Sequence, residues 1–167
     1  GAPVYRIAAE LDADGLPVPE SLLACLETVE RLIREKKAAS VYVCVQGGAA
    51  EAVLKMCLGN GFGFTFADGV SKETLFEKHP ACFIVEAAGD MLSEGTLLGR
   101  VLDVPELTLS CARIPLAELE TIYEGKLEPV FACNISMEKE VLPAPRFMAA
   151  SWPKPRLRTA AARALIP

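Results

Sequence analysis

Residues 45 to 64 of this 167-residue chain, VQGGAAEAVLKMCLGNGFGF, set a glycine pair between one apolar run and another. A helix that begins just after Gly47 and Gly48 aims free N–H groups at the preceding loop, and such groups suit phosphate oxygens. Gly47 and Gly48 are therefore the candidate phosphate-binding residues. Glu51 argues the other way: at the third helical position its carboxylate satisfies those donors itself and repels a phosphate. Lys55 lies four residues further on the same face, a spacing at which a Glu-to-Lys pair stabilises a helix by about 0.2–0.5 kcal/mol. Glycines between strand and helix also serve close backbone packing, so spacing alone leaves both readings open.

The remaining reactive side chains offer less. The six cysteines (Cys25, Cys44, Cys57, Cys82, Cys111 and Cys133) never form CxxC, and each of the first five sits inside an apolar run. That scatter matches neither a disulfide framework nor a zinc site; it predicts buried free thiols in a reducing cytoplasm and no bound metal. Cys57 is a poor nucleophile because a thiol inside an apolar helix lacks a cation to lower its pKa. His79 is the only histidine, which excludes a His-His ligand pair and leaves at most one imidazole base. It precedes Pro80 in EKHPAC and reads as a surface loop residue. No Walker loop, GxGxxG, GxSxG or HExxH is present. No catalytic residue is assigned, and residue chemistry alone gives no self-sufficient active site.

These residues need elements to hold them. PVYRIAAE predicts a first strand entered at Pro3, followed by the turn-rich LDADGLPVP. From Pro19 to Lys37, Leu22, Cys25, Leu26, Val29, Leu32 and Ile33 recur at helical spacing, with Lys36 and Lys37 at the end that favours cations. SVYVCVQ, β-branched and aromatic, predicts a strand in a central position. GAAEAVLKMCLGN predicts an almost wholly buried helix ended by Asn60 and Gly61. FGFTFADG predicts a strand closing on an Asp-Gly turn, SKETLFEKH a short helix capped by Ser71, and ACFIVEA a buried strand. TLLGRVLDV and ELTLSCARI predict consecutive strands joined at Pro105, and PLAELETIYEG a closing helix with Pro115 in its first turn. The sum is an α/β (α+β) layered sandwich, a mixed sheet covered by helices on at least one face.

Composition narrows the class further. With 51% apolar and 23% charged residues the chain is globular rather than disordered. No apolar run approaches the roughly 18 residues of a spanning helix, and the N-terminal segment carries no secretion signal, so a cytoplasmic location without a membrane partner is expected. Residues 1–145 carry 22 Asp and Glu against 12 Lys and Arg, whereas residues 146–167 carry five basic residues and no acid. The acidic body repels polyanions, and a Pro-rich basic tail without interleaved aromatics reads as a linker, so no nucleic-acid partner is expected.

The ordered segments GGAAEAVLKMCLGNGFGF, SKETLFEKHPACFIVEA, GTLLGRV and LAELETIYEGKLEPVF together resemble phosphoribosylformylglycinamidine synthase, the ATP-dependent amidoligase of purine biosynthesis. They are most similar to its second C-terminal-type domain, related to the C-terminal domain of aminoimidazole ribonucleotide synthetase. The resemblance runs from Val4 to Phe131. It implies a domain at residues 1–131 and, from KPRLRTAAARALIP, a linker at residues 132–167 leading toward a glutaminase domain. Glu77 and Lys78 depart from the family, which often places Ser after the Leu-Phe matching Leu75-Phe76, and RTAAARA replaces its usual apolar strand.

The resemblance also implies function. The parent enzyme converts formylglycinamide ribonucleotide, glutamine and ATP, with magnesium, to formylglycinamidine ribonucleotide. In the family, ATP and metal are held mostly by partner domains, and this domain type covers a nucleotide-binding cleft with its glycine loop, here Gly47 and Gly48, near phosphate. The implied partners are an upstream ATP-binding domain and a downstream glutaminase domain. The isolated chain is then expected to be inactive, to hold no cofactor tightly, and to self-associate through the apolar patch its partner would cover. The alternative is a freestanding small-molecule-binding or interaction module on the same scaffold.

Overall fold

The computed structural model describes residues 1–89 and 92–132. Its elements run β1 (Pro3–Ala8), α1 (Pro19–Arg34), β2 (Ala38–Val43), α2 (Gly48–Asn60), β3 (Gly63–Phe66), α3 (Lys72–Phe76), β4 (Cys82–Ala87), β5 (Thr96–Leu102), β6 (Glu106–Leu109), β7 (Ala112–Pro115) and α4 (Leu116–Gly125). The proposed linker at 132–167 lies outside the described residues except for Ala132, as does Cys133.

The strands form one sheet in the order β2-β4-β1-β5-β3-β6-β7. Every neighbouring pair is antiparallel except β3–β6, which makes the sheet mixed. Alternation along each strand sends successive side chains to opposite faces. On one face Ile7 and Val85 pack with Cys25, Val29 and Leu32 of α1. On the other, Val4, Ile84, Phe64 and Leu98 pack with Ala52, Val53 and Cys57 of α2. Ile84 and Val85, adjacent on β4, are fully buried into these two different cores. Burying such a side chain contributes about 1.5–3 kcal/mol. Helices thus cover both faces of the sheet, and the chain is an α/β structure of the expected class.

Local chemistry explains the helix limits. Pro19 opens α1 with its φ already near the helical value. The helix stops at Arg34, three residues short of the sequence expectation, because Lys36 turns left-handed (φ 55°). Lys37 then donates back to the Leu32 carbonyl at 2.9 Å. Gly61 (φ 70°) ends α2, its N–H reaching the Cys57 carbonyl at 2.8 Å. Ser71 caps α3 by accepting the Thr74 N–H at 3.2 Å.

Two strand assignments change. SVYVCVQ was expected to be central, but β2 lies at the sheet edge and pairs only with β4. β-branched content suits any half-buried pleated surface, and β2 is only partly covered, with no fully buried residue and Val43 49% exposed. ELTLSCARI is a hairpin, β6 and β7, rather than one strand. Ser110 at φ 53° makes the turn that its sequence conceals. Cys111, in that turn, is exposed instead of buried. Among the described residues no helix is long and apolar enough to cross a membrane.

Candidate functional site

The glycine pair sits at the N-terminus of α2, with Gly47 the residue before the first helical turn. The Gly47 N–H donates to Glu51 Oε2 at 2.7 Å. The Gly48 N–H is used as well, on the Val45 carbonyl at 3.0 Å. Glu51 Oε1 meets Lys55 Nζ at 2.7 Å, so a single carboxylate spans the turn amide and the ammonium. That pairing, foremost the Lys55 contact and then the Gly47 N–H, holds the Glu51 carboxyl below its ordinary range. Both amides of the pair are thus satisfied within the turn, and the carboxylate stands where a phosphate would approach. The residues present do not by themselves fit a nucleotide phosphate.

Gly48 has a packing role. It adopts φ 66°, and a Cβ built there would lie 2.6 Å from the Leu75 carbonyl oxygen and 2.8 Å from that of Glu77. A backbone this close admits no side chain, and the left-handed conformation disfavours one independently. The glycine lets α2 start directly against the backbone of α3.

Beside the turn opens a groove of about 750 Å³, floored by α2, β3, β6 and β7 and walled by α3 and α4. Its interior is apolar, formed by Ala50, Leu54, Phe66, Leu75, Leu107 and Leu109. Gly47, Glu51, Lys78 and Lys126 supply polar groups around it. Lys55 Nζ stands 5.8 Å from the centre of the Tyr123 ring, a cation–π arrangement. Several large side chains on this side face solvent: Phe76 is 63% exposed, Tyr123 48% and Ile114 40%. Sequence periodicity could not reveal the groove, because it is built from elements separated by more than fifty residues and depends on the hidden β6–β7 hairpin.

His79 is not a surface residue. It is buried, and its Nδ1 accepts the Ala81 N–H at 3.3 Å. Burial, then the nearby Arg6 charge, lowers its pKa below the usual imidazole value, keeping the ring neutral. Cys57 lies in the α2 core, where desolvation and then Glu86 push its thiol up to about 11. Neither group has the surroundings of an activated catalyst. Among the described residues no cluster of three or more His, Cys, Asp or Glu could hold a metal ion.

No family model and no curated protein sequence matches the chain. Solved structures do. Thermotoga maritima PurL complexed with AMPPCP superposes with a TM-score of 0.56 at 16% identity, covering 71% of this chain and 25% of that one. Phosphoribosylformylglycinamidine synthase II from Thermotoga maritima gives 0.55 at 14% identity, with 71% and 25% covered. PurLQS from the same organism gives 0.56 at 13% identity, with 69% and 25% covered. Other PurL structures of this group are complexed with FGAR, ATP or ADP. At these identities the likeness establishes a shared fold, and this chain spans about a quarter of the length of the PurL chains it matches.

Proposed function

We propose that this chain is a domain of a phosphoribosylformylglycinamidine synthase-like ligase, one that covers a nucleotide-binding cleft supplied by a neighbouring domain and does no chemistry alone. The observation that carries the reading is the PurL fold shared over 71% of the chain. In this reading residues 1–131 form the domain and residues 132–167 lead toward a glutaminase. The apolar groove beside Gly47 is the face turned to the partner domain, since extended apolar surface marks an interface. ATP and magnesium act in the parent enzyme and are held by its other domains. The PurL neighbours complexed with ATP and ADP support nucleotide chemistry around this fold, and the PurLQS neighbour supports further subunits or domains. Gly47 and Gly48 line the rim of the cleft as a packing turn whose amides are already taken by Glu51 and by the Val45 carbonyl. The protein works in the cytoplasm.

The test is complementation. The chain alone gives no ammonia- or glutamine-dependent ligation of formylglycinamide ribonucleotide with ATP, and adding the remaining domains of the parent enzyme restores it. Turnover by the chain alone, or no rescue on mixing, refutes the assignment.

One observation favours a second reading. The groove volume falls within the roughly 300–1,000 Å³ typical of small-molecule pockets and is mostly apolar, as such pockets are. A freestanding binding module would use it directly. Titration with ADP and magnesium separates the two: tight binding by the lone chain favours the module, and its absence together with rescue favours the ligase domain.

A further inference from the structure

Cys44 and Cys82 are 38 positions apart in sequence, yet their Sγ atoms lie 3.1 Å from each other. Cys44 directly follows β2, and its N–H donates to the Cys82 carbonyl at 2.8 Å, extending the β2–β4 ladder. Residues opposed on an antiparallel ladder have Cα atoms about 4.5–5.5 Å apart. A disulfide spans about 4.4–6.8 Å between Cα atoms and brings its sulfurs to about 2.05 Å, so the backbone already has a bridging geometry. Closure brings the sulfurs about 1 Å nearer.

The surroundings favour reaction at one of the two. The Cys44 thiol donates to the Cys82 sulfur, and that contact outweighs the opposing effect of burial and, with the Arg6 charge, holds Cys82 below the ordinary thiol range. Arg6 is itself fixed by Glu77 at 2.7 Å. Both cysteines are buried, but Cys44 borders an opening of about 340 Å³ between Gln46 and the Lys78–Pro80 segment. A small polar oxidant that enters there stands beside Cys44, one sulfur away from Cys82.

We propose that Cys44 and Cys82 are a peroxide-responsive dithiol that closes to an intramolecular disulfide, clamping edge strand β2 to β4. The Cys82 thiolate attacks one oxygen of a hydroperoxide, the O–O bond breaks, and the departing oxygen leaves as water or alcohol after taking a proton. Cys82 is now a sulfenic acid. The Cys44 sulfur attacks Cys82 Sγ, the S–S bond forms, the S–O bond breaks, and hydroxide takes the Cys44 proton to leave as water. The two thiols lose two electrons and two protons in all, and the peroxide is reduced. Because Cys44 is three residues before Gly47, the bond also fixes the strand that leads into the glycine turn. The inference stands on the thiol geometry and is independent of the ligase assignment.

The full chain is treated with equimolar hydrogen peroxide, alkylated in denaturant, digested with trypsin and mapped by mass. The expected product is a cross-link, lighter by two hydrogens, between peptides 38–55 and 79–100, cleaved by dithiothreitol, while Cys25 and Cys57 stay alkylatable. Cys44→Ser leaves a Cys82 sulfenic acid that dimedone traps. If that variant fails to fold, the wild-type map and a rise in urea midpoint on oxidation decide the matter. Free Cys44 and Cys82 after treatment, over-oxidation of Cys82 without the cross-link, or a cross-link formed only in unfolded chain would overturn the proposal.

Discussion

Glu51 bridges Gly47 and Lys55: one carboxylate oxygen accepts the turn amide at 2.7 Å and the other meets the ammonium at 2.7 Å. The same side chain starts the helix, neutralises a lysine and closes the anion position at the helix N-terminus. Glu51→Gln removes the charge and weakens both contacts, so the variant is less stable by about 1 kcal/mol at neutral pH, read from urea unfolding. The folded-state carboxyl is lowered, so its contribution is present above the unfolded value of about 4.3 and is lost as pH falls through the folded value. The difference between variant and wild type therefore shrinks below about pH 4. An equal gap at all pH values would mean that charge plays no part.

Two glycines in or bordering α2 predict opposite outcomes. Gly48→Ala forces a Cβ against the Leu75 carbonyl and a side chain into the left-handed region, costing about 2–4 kcal/mol and lowering the melting temperature by roughly 10 °C. Gly59→Ala meets nothing within 4 Å and sits within the helix, so it gains about 0.5–1 kcal/mol. Calorimetry on the pair checks both, and a neutral Gly48→Ala would remove the case for backbone contact between α2 and α3.

His79 adds a pH dependence of its own. Its folded pKa lies below the unfolded value of about 6.5, so the unfolded chain takes up the proton first. Stability from the neutral ring is complete above that value and declines as pH falls toward the folded pKa. Between about pH 7 and pH 5, wild type should lose more stability than His79→Asn. Parallel curves for the two proteins would show that the buried imidazole does not titrate with folding.

Thiol labelling separates burial from reactivity. Cys111, exposed in the β6–β7 turn, is alkylated first and fast in native protein. Cys57, buried and with its thiol pushed up to about 11, is labelled only as the fold opens, at a rate set by the opening equilibrium. Fast native labelling of Cys57 would contradict the packing of α2.

The exposed apolar side of the groove sets the behaviour of the isolated chain. Concentration-dependent association is expected by sedimentation velocity, and Phe76→Asp, which puts a charge on the groove wall, should abolish it without a change in melting temperature, since that side chain faces solvent. Wild type that stays monomeric at every concentration would remove that face as an interaction surface.

How much of this was readable in the sequence differs by element. The helices were legible, because caps and stops are local chemistry: Ser71, Asn60-Gly61 and Glu51 with Lys55 all act within a few residues. The position of β2 was not, because β-branched content reports fit to a half-buried pleated surface and says nothing of which strands stand beside it. Ser110 hid the β6–β7 turn because a non-glycine residue rarely adopts φ 53°. His79 looked exposed because loops usually are, whereas here the loop folds inward and Nδ1 finds a backbone donor. The Cys44–Cys82 approach and the groove arise only when distant strands pair, and no local pattern encodes them.

The placement of β1 has a consequence for the order of assembly. This strand comes first in the chain but lies between β4 and β5, so both of its edges wait for residues up to Leu102. On the ribosome, α1 and β4 cover Ile7 first, but the second edge of β1 stays unpaired until β5 has emerged, so closure of the sheet comes late and cooperatively. Shortened translation products ending before β5 are accordingly clients for chaperones and proteases rather than partly built domains.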